Sequence, residues 1–250
     1  MQRSLLVLGA ALALLAAGCA SGPNAKTLEE AKGRYQLGAS FLAEGDVPSA
    51  LRELLAAERL NPDDPQTEHA LGLAFLGRRD YADAEKRLRR AVELSPSFSE
   101  AWNNLGVLYS EQRRYEPAQR AFEKALENVL YATPERAWQN IGRIQLEQGR
   151  TLQAIASLRR ALQFNSQYAL THFNLGQAYE RAGRLKEATD AYKEAVRLFP
   201  GYAQAHYDLG TVYLRQNASK EARAAFNEVV RLVPNTDLGR QAAEHIGRIR

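Results

Sequence analysis

The chain has 250 residues, of which 33 are Lys or Arg and 29 are Asp or Glu, giving a formal net charge of +4. So small an excess, interspersed along stretches such as Glu85, Lys86, Arg87, Arg89 and Arg90, describes a solvated face and argues against a nucleic-acid surface. A single cysteine excludes a disulfide within one chain, and the four histidines (His69, His172, His206 and His245) fall in no metal-ligand spacing.

At the front of the chain, Arg3 precedes an unbroken run of small and apolar residues from Leu5 to Ala17. That run is well short of the roughly 20 residues that span a bilayer as a helix, so residues 1–18 read as a signal peptide that is removed. Its end, Leu15-Ala16-Ala17-Gly18-Cys19, resembles the lipobox of bacterial lipoproteins. The resemblance implies cleavage before Cys19, acylation of its thiol and new amino terminus, and anchoring by two or three fatty chains, far firmer than one. Ala20 stands where an aspartate marks inner-membrane retention in many Gram-negative lipoproteins, so the implied address is the outer membrane, facing the periplasm. Residues 19–30 are expected to be the lipidated cysteine and a flexible tether, because Ala20 to about Thr27 is small, polar and turn-prone.

From there glycine recurs at Gly38, Gly72, Gly106, Gly142, Gly176 and Gly210, at intervals of 34, 34, 36, 34 and 34 residues. An apolar residue precedes each (Leu37, Leu71, Leu105, Ile141, Leu175, Leu209), and alanine follows twelve residues later at Ala50, Ala84, Ala118, Ala154, Ala188 and Ala222. Apolar spacing of i, i+3, i+4, i+7 around these positions is helical, with no alternation suited to strands. The pattern resembles the tetratricopeptide repeat, which implies an all-α solenoid of six helix-turn-helix repeats over residues 31–236.

Within each unit, the small residues are expected where helices A and B cross, with Leu37, Phe41 and Leu54 among the bulky residues filling the space around the first crossing. A second small position closes helix B at Ala57, Ala91, Ala125, Ala161, Ala195 and Val229, and Pro62, Pro96, Pro200 and Pro234 then stop that helix. Gly45, Gly149, Gly183 and Asn217 take the tight turn between the helices, where a left-handed backbone is needed. A two-residue insertion around residues 130–135 reads as a longer loop, with Thr133 as N-cap before Pro134. Residues 237–250 form a C-terminal capping helix with one solvated face.

In this family helix A lines the concave side, which places Tyr35, Ala39, Leu42, His69, Leu73, Leu76, Asn103 and Val107 in one partner-binding groove, largely apolar and open. Later repeats contribute Gln139, Arg143, Phe173, Gln177, Glu180, Tyr207, Thr211 and Arg215, a mixed polar surface. His172 and His206 share the repeat position of Trp102 and Trp138, which gives them a packing role under the groove. Asn104, Asn140 and Asn174 recur at one position without the lysines that would clamp a C-terminal carboxylate. With no acid, base or metal cluster in evidence, an enzyme, a cofactor and a small-molecule substrate are not expected.

A lipobox, a short tether and six such repeats together resemble the pilotins of type IV pilus secretins, lipoproteins of the PilF, PilW and Tgl type, with the layout of the last nearest. That resemblance implies binding of secretin subunits and promotion of their assembly into the outer-membrane ring, supporting pilus biogenesis and motility. The alternative is a repeat lipoprotein scaffold for cell-wall synthesis or outer-membrane protein assembly.

Overall fold

The computed structural model describes residues 23–249, so the signal peptide and Cys19 lie outside the described residues. Within them are thirteen helices and no strand. Six A/B pairs follow one another: α1 (Ala25–Glu44) with α2 (Val47–Leu60), α3 (Pro65–Gly77) with α4 (Tyr81–Leu94), α5 (Ser99–Glu111) with α6 (Tyr115–Glu127), α7 (Pro134–Glu147) with α8 (Thr151–Phe164), α9 (Ala169–Arg181) with α10 (Leu185–Leu198), and α11 (Ala203–Arg215) with α12 (Ser219–Leu232). A last helix, α13 (Asp237–Arg248), closes the stack.

The recurring glycines exist because nothing larger fits. A Cβ added at Gly38, Gly72, Gly106, Gly142, Gly176 or Gly210 would stand 2.5–2.7 Å from Leu54, Leu88, Phe122, Leu158, Tyr192 or Phe226, a large side chain on the paired B helix. All six of those side chains are fully buried, as are the six alanines that open the B helices and the second small position that closes them. Each bulky B-helix residue thus lies against bare backbone, and the pair closes without a void.

Local signals set the ends. Each B helix that meets a proline stops two residues before it, at Leu60, Leu94, Leu198 and Leu232. The A-to-B turns use a left-handed residue at one fixed position in all six units: Gly45, Gly149 and Gly183 (φ 81°, 73° and 73°), Asn217 (φ 60°), and also Arg79 and Arg113 (φ 62° and 57°). The two arginines adopt a backbone that costs a residue with a Cβ, and they do so because the repeat geometry demands it.

Four features depart from the sequence expectations. Helix α1 begins at Ala25, so residues 25–30, expected in the tether, are helical; the Asn24 side chain accepts from the Thr27 backbone N–H (3.0 Å) and caps them. Leu37 is 46% exposed, whereas its equivalents Leu71, Leu105 and Ile141 are buried, because among the described residues no earlier repeat packs on unit one. Thr133 does occupy the N-cap before Pro134, but its hydroxyl makes no cap bond and meets the phenol of Tyr131 instead. In that inserted loop Tyr131 is buried while Val129 and Leu130 are almost wholly exposed.

The curvature follows from which helices approach. Successive A helices touch from α1 through α9, and no pair of successive B helices comes as close, so the A helices line the inner side and the B helices splay outward. Four apolar clusters follow one another from unit one to α13, where Ala242 joins Ala222, Phe226 and Val229. Gly239 lets α13 lie against the end of α12, since a Cβ there would collide with the Val233 carbonyl oxygen.

Replacing Arg113 with glycine is expected to raise stability by about 0.5–1 kcal/mol, since glycine takes φ > 0 without the Cβ clash although it adds freedom to the unfolded chain. Chemical denaturation of the wild type and Arg113→Gly measures the difference, and a destabilised variant would show that the arginine side chain contributes more than its backbone strain costs.

Candidate functional site on the concave face

The inner wall is made of A-helix side chains, and the eight expected groove residues lie on the A helices α1, α3 and α5, at unequal depth. Asn103 is buried. Tyr35 and Leu42 are half-buried against the apolar cluster of units one and two, and Leu76 and Val107 against that of units two to four. Leu73 and Ala39 are half-buried but belong to neither cluster. The expected open apolar lining is therefore corrected: since successive A helices touch, most of these side chains are consumed in packing between repeats, and none of the eight is among the exposed large apolar residues.

A polar ladder crosses from α3 to α5 and from α5 to α7. The Asn104 amide nitrogen lies 2.7 Å from His69 Nε2, and Asn140 Nδ2 lies 3.4 Å from Asn103 Oδ1. Burial pushes the His69 imidazole down to about 4, so the ring is neutral at physiological pH; as the amide donates, Nε2 accepts and the ring proton sits on Nδ1. Further along, the ladder fails. Asn174 Nδ2 is buried and has no hydrogen-bond partner among the described residues, and Phe173, at the repeat position of His69 and Asn103, offers Asp208 no polar group.

Around Asp208 the wall opens into a cavity of about 430 Å³ lined by Gln177, Glu180 and Arg181 of α9, Tyr192 of α10, and Tyr207, Thr211 and Arg215 of α11. Glu180 is held by the Tyr192 hydroxyl (3.1 Å) and by Arg215 (2.8 Å), while Arg181 donates to the Leu146 carbonyl (2.6 Å). Asp208 has amide partners, with Gln204 at 2.7 Å and Gln177 facing it, but makes no ion pair. Burial above all, with Glu180 nearby, pushes its carboxyl up to about 6. Charge therefore concentrates at the far end of the groove, where the sequence pattern gave Glu180 and Arg215 but not the isolation of Asp208.

His172 and His206 have a more specific role than filling space. Their Nε2 atoms lie 2.9 Å and 3.0 Å from the carbonyl oxygens of Ser166 and Pro200, six residues earlier, just as Trp102 Nε1 donates to Pro96 at 2.9 Å. A carbonyl can only accept, so both rings carry the proton on Nε2 and brace the loop between repeats. Among the described residues no group of three or more His, Cys, Asp or Glu side chains could hold a metal ion, and no helix is long and apolar enough to cross a membrane.

Comparison with known proteins comes to the same architecture. Residues 67–245 match the model of the cilia and flagella-associated protein 70 C-terminal domain family. No curated protein matches the chain. Among solved structures, PilF of Pseudomonas aeruginosa superposes with a TM-score of 0.79 at 20% identity, over 88% of this chain and 99% of that one. PilW, a widely conserved type IV pilus biogenesis factor, gives 0.79 at 19% identity over 85% and 98%. YrrB, a tetratricopeptide-repeat protein with an unusual peptide-binding site, gives 0.59 at 21% identity over 76% and 97%. At such identities the likeness is one of fold.

Two outcomes follow from the wall. Leu76→Asp is expected to cost about 1–3 kcal/mol because it places a charge against the apolar cluster, whereas Leu73→Asp is expected to leave the melting temperature almost unchanged. For Asp208 the folded carboxyl titrates above its unfolded value of 3.8, so its contribution to stability is fully present below 3.8 and is lost as pH rises through about 6. Asp208→Asn should therefore melt higher than wild type at pH 7.5, with a gap that closes as pH falls to 4. Melting curves of both proteins across that range test it, and a gap independent of pH would contradict the assignment.

Proposed function

We propose that this chain, which belongs to the family of the cilia and flagella-associated protein 70 C-terminal domain, is an outer-membrane lipoprotein that binds secretin subunits in the periplasm and promotes assembly of the type IV pilus secretin ring. The observation that carries the reading is the match in extent: the same succession of repeats covers 99% and 98% of the two pilus-related structures, with no large segment left over in either. The lipobox at Leu15–Cys19 adds a membrane address to that scaffold.

A subunit of a membrane ring exposes apolar surface before it closes on its neighbours, and a tethered concave wall can hold it near the bilayer until it does. The half-exposed edges of Leu73, Leu76 and Tyr35 supply apolar contact at one end of that wall, and the charged cavity around Asp208 supplies polar contact at the other. With apolar contact so limited, the wall holds its partner reversibly, as a handover requires.

Two substitutions separate address from binding. Cys19→Ala is expected to move the protein from the membrane to the soluble fraction with its helical content intact. Leu73→Asp is expected to remain folded and membrane-bound while detergent-resistant secretin multimers fall several-fold on gels of whole cells. Unchanged multimers with Leu73→Asp would remove the concave wall from the assembly step.

A further inference from the structure

On the convex side, a cavity of about 490 Å³ lies between α4 and α6, floored by α5. Its origin can be traced to one position of the repeat. In units one and two that position holds Glu53, which accepts from Arg34 (2.9 Å) and Arg52 (3.1 Å), and Arg87, which bridges Glu58 and Glu68. Units three to six have the small residues Ala121, Ser157, Ala191 and Ala225 there, and in unit three the space that long side chains fill in units one and two stays open.

The cavity is apolar below and cationic above. Val92, Leu105, Ala121 and Pro117 line it together with Trp102, whose indole N–H is already committed to Pro96 and leaves the ring as apolar surface. Around the mouth stand Arg89, Arg114, Arg120 and Lys124, with Glu93 in the lining and Glu85 and Glu127 just outside it. Arg114 and Arg89 are fixed by Glu85 (2.7 Å and 3.3 Å), Arg114 also lies over the Tyr109 ring (4.4 Å), and Lys124 pairs with Glu127 (2.9 Å). Arg120 makes no hydrogen bond or ion pair among the described residues, and it is exposed. At the Arg120 position units one and two also carry a cation, Arg52 and Lys86, while units four, five and six have Ala156, Asp190 and Ala224; at that of Lys124 units two and four have Arg90 and Arg160, and units five and six have Glu194 and Glu228.

We propose that this convex slot is a second binding site, for a partner segment that presents one large apolar side chain flanked by carboxylates. The apolar side chain enters between Trp102, Leu105 and Val92, and a carboxylate meets Arg120, whose planar fork suits two parallel bonds. A volume of about 490 Å³ is within the range of roughly 300–1,000 Å³ usual for ligand cavities, and Trp, Tyr and Arg together at a cavity are the residues that dominate binding energies. A flat bilayer cannot reach the floor of a slot between two helices, whereas a protruding side chain can. This site lies on the opposite side from the concave wall and is independent of the secretin reading.

Trp102 itself reports on the slot, since Trp138 is the one other tryptophan in the chain and can be replaced by phenylalanine. In that Trp138→Phe background, a short capped peptide with phenylalanine between glutamates is expected to change Trp102 emission saturably. Peptides with alanine in place of phenylalanine, or lysine in place of glutamate, are expected to bind at least tenfold more weakly. Arg120→Glu, at an exposed position that leaves the core intact by circular dichroism, should weaken the acidic peptide tenfold or more; Ala121→Arg should close the slot as Arg87 does in unit two. No saturable change with the acidic peptide, equal binding after Arg120→Glu, or displacement of the peptide by phosphatidylglycerol vesicles would each overturn the proposal.

Discussion

The contact on which everything else rests is that of a bare glycine backbone on an A helix against one large side chain on its B helix. It recurs six times, from Gly38 on Leu54 to Gly210 on Phe226, always with no room for a Cβ. Because that contact fixes how closely and at what angle each pair crosses, neighbouring pairs must stack with the same small rotation. Contact among A helices and separation of B helices are its cumulative result, and so are the two surfaces on which a partner can be met: a tight inner wall and a furrowed outer one.

Much of this can be read from spacing alone. A 34-residue period with glycine, alanine and proline at fixed offsets carries the helix pairs, their crossings and their ends, since each of those residues acts through local sterics. Arg79 and Arg113 were not legible in that way, because arginine is no turn residue; they become so once Gly45, Gly149 and Gly183 are seen to share their register. Helical phase indicated which way Tyr35, Leu42, Leu76 and Val107 point, but not how deep they lie, which depends on the distance between successive A helices. End effects also escape a periodic reading: Leu37 is exposed because no earlier repeat covers it among the described residues, and α1 starts early because Asn24 caps it.

The inner wall shows how one backbone carries two chemistries. Where successive A helices present His69 to Asn104 and Asn103 to Asn140, polar groups are paired within the wall and little is left for a partner. Phenylalanine at the next such position but one breaks the series, so Asp208 is desolvated without acquiring a cation and Glu180 turns to Tyr192 and Arg215. A partly desolvated carboxylate held by amides alone costs stability at neutral pH. Together with Asn174 Nδ2, which has no partner among the described residues, Asp208 marks the end of the groove where the wall leaves polar groups incompletely satisfied.

Repetition and binding thus draw on different residues. Positions that hold the same residue type in every unit, the crossing glycines and the B-helix alanines, are buried and build the stack. Surfaces that could discriminate a partner arise where units differ: the small Ala121 where units one and two carry Glu53 and Arg87, Arg120 where unit five carries Asp190, and Asp208 where units three to five carry Asn104, Asn140 and Asn174. Such differences lie away from the glycine crossings, so they alter charge and volume without disturbing the contact that closes each pair. In a solenoid, then, the residues that break the pattern are the ones to examine for recognition, because those that keep it have no surface left to offer.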